Sequence, residues 1–317
     1  MLEIFRNKVK LFALLLIVSC KTVDSVSVEK NSYSVKEEDV IETLRYLSSD
    51  ELQGRDTGTE GIEKAAVFLE NHLKNNSIAP YFVTYRDTLS NYNPTAYNIV
   101  GLIEGKDSEL KHEIVILGAH YDHIGMNENL KGDKIYNGAN DNASSVTIVS
   151  EIAKYLATQE NKRSVLICYF SAEEKGLLGA KHLATKLKEQ GINLYVMLNF
   201  EMMGVPMQNR NFDMFITGPK ISNLWKKMNE YAASNLVGEI PHFAQFFKAS
   251  DNYPFYTEFK VPSHTVCTFD FENFQYYHQP QDEFELMDTR FMTQTTQKLL
   301  PVISKIVNSD KGEIRCN

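Results

Sequence analysis

The sequence predicts an α/β fold in which a mixed, mostly parallel central sheet carries helices on both faces. Apolar runs such as residues 164–170 (SVLICYF) show no polar–apolar alternation, which is typical of strands buried on both faces. These runs alternate along the chain with segments of helical spacing, as in folds whose strands are joined by crossover helices. No internal repeat or low-complexity linker interrupts residues 40–310, so we expect one large domain.

The individual elements follow from apolar spacing. In residues 37–49, Val40, Leu44 and Leu47 recur at the spacing of one helix face. The predicted helices are residues 37–49, 61–76, 144–158, 177–189, 220–235 and 291–308, the last bent by Pro301. The predicted strands are residues 81–87, 96–105, 112–122, 164–170, 194–201, 213–218 and 262–269.

The first 19 residues are typical of a secretory signal peptide. Basic residues precede an apolar run, residues 11–18, that is too short for a stable bilayer-spanning anchor. The sequence IVSC, which ends at Cys20, resembles a bacterial lipobox and implies a lipid on Cys20. Residues 20–36 would then tether a membrane-bound lipoprotein outside the cytoplasm, on the periplasmic face or the cell surface. The alternative is a plain signal peptide and a secreted protein.

Composition excludes some classes of protein. The net charge of −8 makes nucleic acid an unlikely partner, and 43% hydrophobic residues is ordinary for a globular chain. After Cys20, three cysteines remain, an odd number that argues against a disulfide framework. Cys168 and Cys267 lie in apolar strands and are expected to be core thiols, while Cys316 is expected to be mobile.

Acidic and imidazole side chains follow several predicted strands at the point where each strand ends. Because the carboxyl ends of parallel strands meet at one edge of a sheet, we expect these side chains to lie together. In chain order they are His120, Asp122, Asp141, Glu173, Glu174, Glu201, Tyr277, His278 and Asp282. Clustered carboxylates repel one another unless a divalent cation neutralises them. Two imidazoles with several carboxylates and no cysteine are typical of hydrolytic zinc sites.

The motifs that contain these residues resemble one family. GAHYDHIG, GANDNASS, FSAEEKGLLGAKH, NFEMMG and YHQPQD, in this order, are similar to the M28 family of zinc peptidases. These are co-catalytic metallo-aminopeptidases and their carboxypeptidase relatives. The resemblance covers roughly residues 40–308 and implies a zinc-dependent exopeptidase fold of the phosphorylase/hydrolase type over residues 37–310. It also implies peptide substrates.

The resemblance implies a role for each metal ligand. His120 would bind one of two zinc ions and His278 the other, with Asp141 bridging them. Glu174 would join His278 on its zinc. Glu201 would join His120, in a place where the family usually has an aspartate.

The same resemblance assigns the catalytic residues. Glu173 matches the general base, since adjacent residues at a strand-to-helix corner point in different directions and Glu174 can bind the ion. Tyr277 would either stabilise the oxyanion or simply pack beside the ligand. Asp122 is expected to orient His120 through its other ring nitrogen. We interpret His123 as structural.

The sequence therefore predicts a zinc-dependent exopeptidase, an aminopeptidase in the first instance. One alternative is an acyltransferase of the glutaminyl cyclase type, with one zinc. The other is a binding relative that has lost catalysis. The aromatic segment 242–256 either lines an apolar pocket or packs internally, and the preferred cleavage-site residue and the oligomeric state stay open.

Overall fold

The computed structural model describes residues 33–317 of the chain. The predicted signal peptide and the lipidation site at Cys20 lie outside the described residues. Within residues 33–317, no helix combines the length and the apolarity needed to span a bilayer. The folded unit runs from Ser34 to Asn317, slightly beyond the predicted domain of residues 37–310.

Nine strands form one mixed sheet within the described residues. They are β1 Ala79–Pro80, β2 Arg86–Thr88, β3 Tyr97–Ile103, β4 Glu113–His120, β5 Ser164–Phe170, β6 Asn193–Glu201, β7 Met214–Ile216, β8 Val237–Gly238 and β9 Ser263–Cys267. Their order is β1-β3-β5-β4-β6-β9-β7-β8, with β2 also paired to β3. The central strands β5, β4, β6 and β9 are mutually parallel, and antiparallel strands flank them. The predicted fold class is confirmed.

Seven α-helices cover the sheet in the same part of the chain. They are α1 Glu37–Leu47, α2 Glu60–Asn75, α3 Ser145–Leu156, α4 Leu178–Glu189, α5 Leu224–Ala232, α6 Asn252–Phe259 and α7 Thr289–Asn308. One face of the sheet, which includes Ile114 and Ile116 of β4, packs with α4 and α6. The opposite face packs on α3, where the Tyr169 hydroxyl lies 2.7 Å from Ser150 Oγ. Side chains alternate along a strand, so central strands buried on both faces must be apolar throughout.

The predicted strand over residues 81–87 is confirmed only at Arg86 and Asp87, which lie in β2, and is wrong over residues 81–85. Residues 81–85 bulge out of the sheet opposite Val100, which accepts a hydrogen bond from Tyr81 N and donates one to the Tyr85 carbonyl. The side chain of Val83 is fully exposed. The aromatic side chains of Tyr81 and Phe82 pack on the core from the bulge instead of from a strand.

The chain termini of the domain are more ordered than the sequence suggested. Val35 is buried and its N–H lies 2.9 Å from Gln297 Oε1, so the predicted tether ends before this residue. Cys316 was expected to be mobile but forms a β-bridge with Ser222. Cys168 and Cys267 are buried free thiols, as predicted.

Candidate metal centre and active site

The carboxyl ends of the central strands bring the predicted site residues together. His120 ends β4 and Glu201 ends β6, while Glu173 and Glu174 lie in the turn after β5. Two further loops, the turn before α3 and the segment after β9, add Asp141 and His278. The side chains form two groups of candidate metal ligands that share Asp141.

The first group joins His120, Asp141 and Glu201. His120 Nε2 lies 2.9 Å from Glu201 Oε1 and 3.3 Å from Asp141 Oδ1. The second oxygen of Glu201 accepts a hydrogen bond of 2.7 Å from the Ser250 hydroxyl, which holds the longer glutamate side chain in place. The side chain of Glu201 is 18% exposed, so this group opens to solvent on one side.

The second group joins Asp141, Glu174 and His278 and includes His123. His278 Nε2 lies 3.1 Å from Glu174 Oε1 and 3.2 Å from Asp141 Oδ2. His123 Nδ1 lies 2.9 Å from the same Glu174 oxygen and 3.8 Å from Asp141 Oδ2. Asp141 thus presents Oδ1 to one group and Oδ2 to the other, which is the geometry of a bridging carboxylate.

The charges in this cluster fit two divalent cations. Burial opposes ionisation of Asp141, but the imidazoles of His123, His120 and His278 hold its pKa well below the usual range. Burial likewise opposes protonation of His278, yet Asp141 and Glu174 raise its pKa to about 10. The negative charge that favours protonated imidazoles here also favours a metal cation. A bound metal ion would take the place of the protons on these imidazoles.

The turn that holds Asp141 is built by its neighbours. The Asp282 carboxylate accepts hydrogen bonds from the N–H groups of Asn140 (2.7 Å) and Asp141 (3.0 Å). Gly138 has a φ of +56°, and a Cβ there would lie 2.1 Å from the Asp141 carbonyl and 2.6 Å from the His123 ring. The turn therefore requires glycine at this position.

Asp122 lies beside His120 Nδ1 and also contacts the backbone of the paired glutamates. Its carboxylate accepts hydrogen bonds from the N–H groups of Glu173 (3.1 Å) and Glu174 (3.3 Å) and from the Thr57 hydroxyl (3.1 Å). His120 Nδ1 lies 3.1 Å from the Asp122 carbonyl oxygen but 3.7 Å from its carboxylate. The side chain thus positions the paired glutamates, while its backbone oxygen faces His120.

Arg55 supplies buried positive charge beneath the cluster. Its guanidinium donates to the carbonyl oxygens of Tyr121 (2.9 Å), Asn137 (2.6 Å) and Gly138 (3.0 Å) and to that of Leu47. Burial lowers the pKa of Arg55 to about 10, and nearby carboxylates oppose that fall. A permanent cation here links the loops that carry His120 and Asp141, because it bonds both.

An open cleft of about 700 Å³ lies over the cluster. Glu173 lines it together with His120, Asp141, Glu174 and Glu201. Burial, and after it the charges of neighbouring acids, raise the pKa of the Glu173 carboxyl well above its usual range. The far wall is apolar and aromatic, and consists of Phe215, Phe243, Phe246, Phe269, Phe271, Met202 and Cys267. Phe243 and Phe246 of the aromatic segment therefore line a pocket, whereas Phe247 and Phe255 pack internally.

Tyr277 also lines the cleft, and its ring stacks on that of His278 with 3.9 Å between centroids. The side chain is 39% exposed. Burial raises the pKa of its hydroxyl, so the group stays protonated near neutral pH.

Ser250 lines the cleft, and its neighbour in the chain, Asp251, is fully buried. Ser250 donates a hydrogen bond to Glu201, whereas the Asp251 carboxylate makes no helix-capping bond to α6. Among the described residues, both Asp251 oxygens lack a hydrogen-bond partner, and burial raises the pKa of the carboxyl well above its usual range. Asp251 is therefore a buried carboxyl without a hydrogen-bond partner in the described part of the chain.

Sequence reasoning missed His123. It lies three residues after His120 and was interpreted as structural, but its ring faces the shared carboxylates. Its position beyond the end of β4 gave no spacing signal, although the HYDH pattern places two imidazoles on the same turn.

Comparison with known proteins identifies relatives of this architecture. The model of "Peptidase family M28" matches residues 98–303. Aminopeptidase YwaD of Bacillus subtilis (strain 168) is 27% identical over 224 residues, which is 69% of this chain and 46% of the relative. The chain thus spans about half the length of that curated relative.

Solved structures share the fold. BSAP, a zinc aminopeptidase from Bacillus subtilis, superposes with a TM-score of 0.69 at 17% identity, covering 88% of this chain and 97% of that structure. The glutaminyl cyclase of Bacteroides thetaiotaomicron gives 0.66 at 17% identity, covering 89% and 100%. At such identities the likeness concerns the fold alone.

Proposed function

The chain belongs to peptidase family M28, and on that premise we propose that it is a zinc-dependent aminopeptidase that removes N-terminal residues from peptides. One observation carries the proposal: two groups of ligands share Asp141 in the cleft that Glu173 lines. His120, Asp141 and Glu201 would hold one zinc, and Asp141, Glu174 and His278 the other. The additional group of His120, Asp141 and Glu201 argues against a one-zinc acyltransferase.

The residues of the chain divide the chemistry between them. Zinc, when bound, supplies Lewis acidity that makes water a nucleophile near neutral pH. Glu173 would take a proton from the attacking water and deliver it to the leaving amine. Asp122 keeps Glu173 and Glu174 in place through their backbone N–H groups. The protonated hydroxyl of Tyr277 would donate to the developing oxyanion.

The charges of the cleft favour an amine terminus. The residues that line it include four acids and, among the described residues, neither lysine nor arginine. A C-terminal carboxylate would thus have no lysine or arginine side chain to pair with in the cleft. This supports an aminopeptidase over a carboxypeptidase.

The wall of the cleft favours apolar side chains. Phe215, Phe243 and Phe246 form an edge-to-face aromatic cluster, with centroids 4.8–5.3 Å apart in the contacting pairs. A large apolar residue at the peptide N-terminus would bury its surface against these rings, which is worth about 25 cal/mol per Å². Leucine and phenylalanine are the expected first residues.

A panel of amino-acid anilides tests this function. We expect hydrolysis of leucyl and phenylalanyl anilides at least about tenfold faster, in kcat/KM, than of alanyl or glutamyl anilide, and no hydrolysis of N-acetyl-leucyl anilide. Exhaustive chelation should abolish turnover and zinc should restore it. Activity that survives chelation, or cyclisation of N-terminal glutamine without hydrolysis, would contradict the proposal.

We further propose that the protein is a lipoprotein held outside the cytoplasm by Cys20. Support comes from the signal-like residues 1–19 and the lipobox-like IVSC. Replacing Cys20 by alanine should move the protein from the membrane fraction to the soluble fraction. A variant that remains in the membrane fraction would count against the lipid.

A further inference from the structure

The two ligand groups are unequal in size. The group around His120 has three side chains, whereas the group around His278 has four, because His123 belongs to it. In zinc enzymes, sites with four protein ligands are closed, and sites with three leave a position for water or substrate. The difference between the groups thus bears on which ion takes part in the chemistry.

The four donor atoms lie close enough together to share one ion, all within 4.8 Å of one another. Ligands about 2.0–2.2 Å from a tetrahedral zinc lie about 3.3–3.6 Å from one another. His278 Nε2 lies 3.1 Å and 3.2 Å from the oxygens of Glu174 and Asp141. His123 Nδ1 lies 2.9 Å and 3.8 Å from the same two oxygens. The two distances of His278 lie just below this range, and the two distances of His123 lie on either side of it.

The ring of His123 is fixed in this position by its surroundings. The ring is fully buried, the backbone N–H of His123 donates to the Arg55 carbonyl, and Gly138 packs against the ring where any Cβ would collide. Its Nε2 is buried and has no hydrogen-bond partner among the described residues. All the polar contacts of the ring are therefore on the Nδ1 side, where the shared carboxylates lie.

We infer that His123 is a fourth protein ligand, through Nδ1, of the ion held by Asp141, Glu174 and His278. This inference rests on the proposed function, since it assumes that the cluster binds zinc. The site around His278 would then have no free coordination position and would hold its ion tightly. The site around His120 would keep an open coordination position that faces the cleft. Glu173 lines that cleft together with His120.

Zinc titration of His123 variants tests the inference. Metal-free protein would be titrated against a chromophoric chelator, which resolves a tight and a weak step. His123→Ala should weaken the tight step by more than about 100-fold, beyond the 10–100-fold typical of residues that only orient a ligand. The weak step should stay within about threefold. His278→Ala should affect the same step, and His120→Ala the other.

Two controls separate ligation from simpler roles. His123→Asn places an amide N–H near the position of Nδ1 and keeps a hydrogen bond to Glu174, so zinc affinity that recovers in this variant would overturn ligation. His112→Ala is the matched control, because His112 is exposed and remote from the site. We expect that variant to bind zinc like the wild type.

X-ray absorption on the wild-type protein avoids any folding defect of the variants. With one equivalent of zinc, two imidazoles per ion are expected, and one imidazole would overturn the inference. If the wild-type protein and the His123→Ala variant both bind two zinc ions, only this inference is refuted. A wild-type protein that binds no zinc would refute the proposed function as well.

Discussion

Replacing Glu173 by glutamine is expected to lower kcat about 10²- to 10⁴-fold while the metal content stays unchanged. The amide has the shape of the carboxylate but cannot accept a proton from water. Glu173 contributes no atom to either ligand group, so both ions should remain. Its N–H bond to Asp122 is a backbone contact and survives the substitution. Steady-state kinetics on leucyl anilide, together with zinc analysis of the same sample, measure both quantities.

The matched control is Glu189→Gln, an exposed position at the end of α4. It removes the same charge and should leave kcat within about twofold, as surface substitutions usually do. Undiminished turnover in Glu173→Gln would remove Glu173 as the base. A fall in activity that is matched by a loss of zinc would make it a ligand instead.

Replacing Asp141 by asparagine is expected to weaken both zinc steps by at least about 100-fold. Asp141 is the residue that the two groups share, with Oδ1 toward His120 and Oδ2 toward His278. Asparagine retains one oxygen, removes the negative charge and turns an N–H₂ group toward one ion. Activity should fall with occupancy, since the reaction needs the ions that Asp141 joins.

Zinc analysis after dialysis and the titration described above measure the loss. Asp133→Asn serves as the control because Asp133 is exposed. Circular dichroism should show a folded variant, since the Asp282 carboxylate holds the turn through backbone N–H groups that asparagine also has. Loss of only one zinc step would contradict the bridging role.

The residues of the proposed site could be predicted from the sequence because the ends of buried strands are easy to recognise in it. Runs such as SVLICYF are recognisable as buried strands, and parallel strands bring their carboxyl ends to one edge. Glu174 and Glu201 follow such runs directly, and the structure brings them within one cluster. For these residues, position along the chain was enough to predict proximity.

Other features depended on three-dimensional packing. His123 and His120 lie on one short turn. The His123 ring points to the carboxylates because its backbone N–H is bonded to Arg55 and because Gly138 packs against the ring. The role of Asp122 likewise depends on which N–H groups lie nearest to its carboxylate. The spacing of apolar residues does not predict the direction in which a polar side chain points, because it indicates only which side chains are buried.

The sequence by itself determined the α/β class, the family and the edge of the sheet at which acids and imidazoles meet. It could do so because hydrophobic periodicity and strand-end motifs are local properties of the chain. Only the tertiary structure decided that the ligand groups contain three and four side chains, that residues 81–85 leave the sheet, and that Cys316 is tied to Ser222. These depend on distances between atoms far apart in sequence, which packing of the whole domain sets.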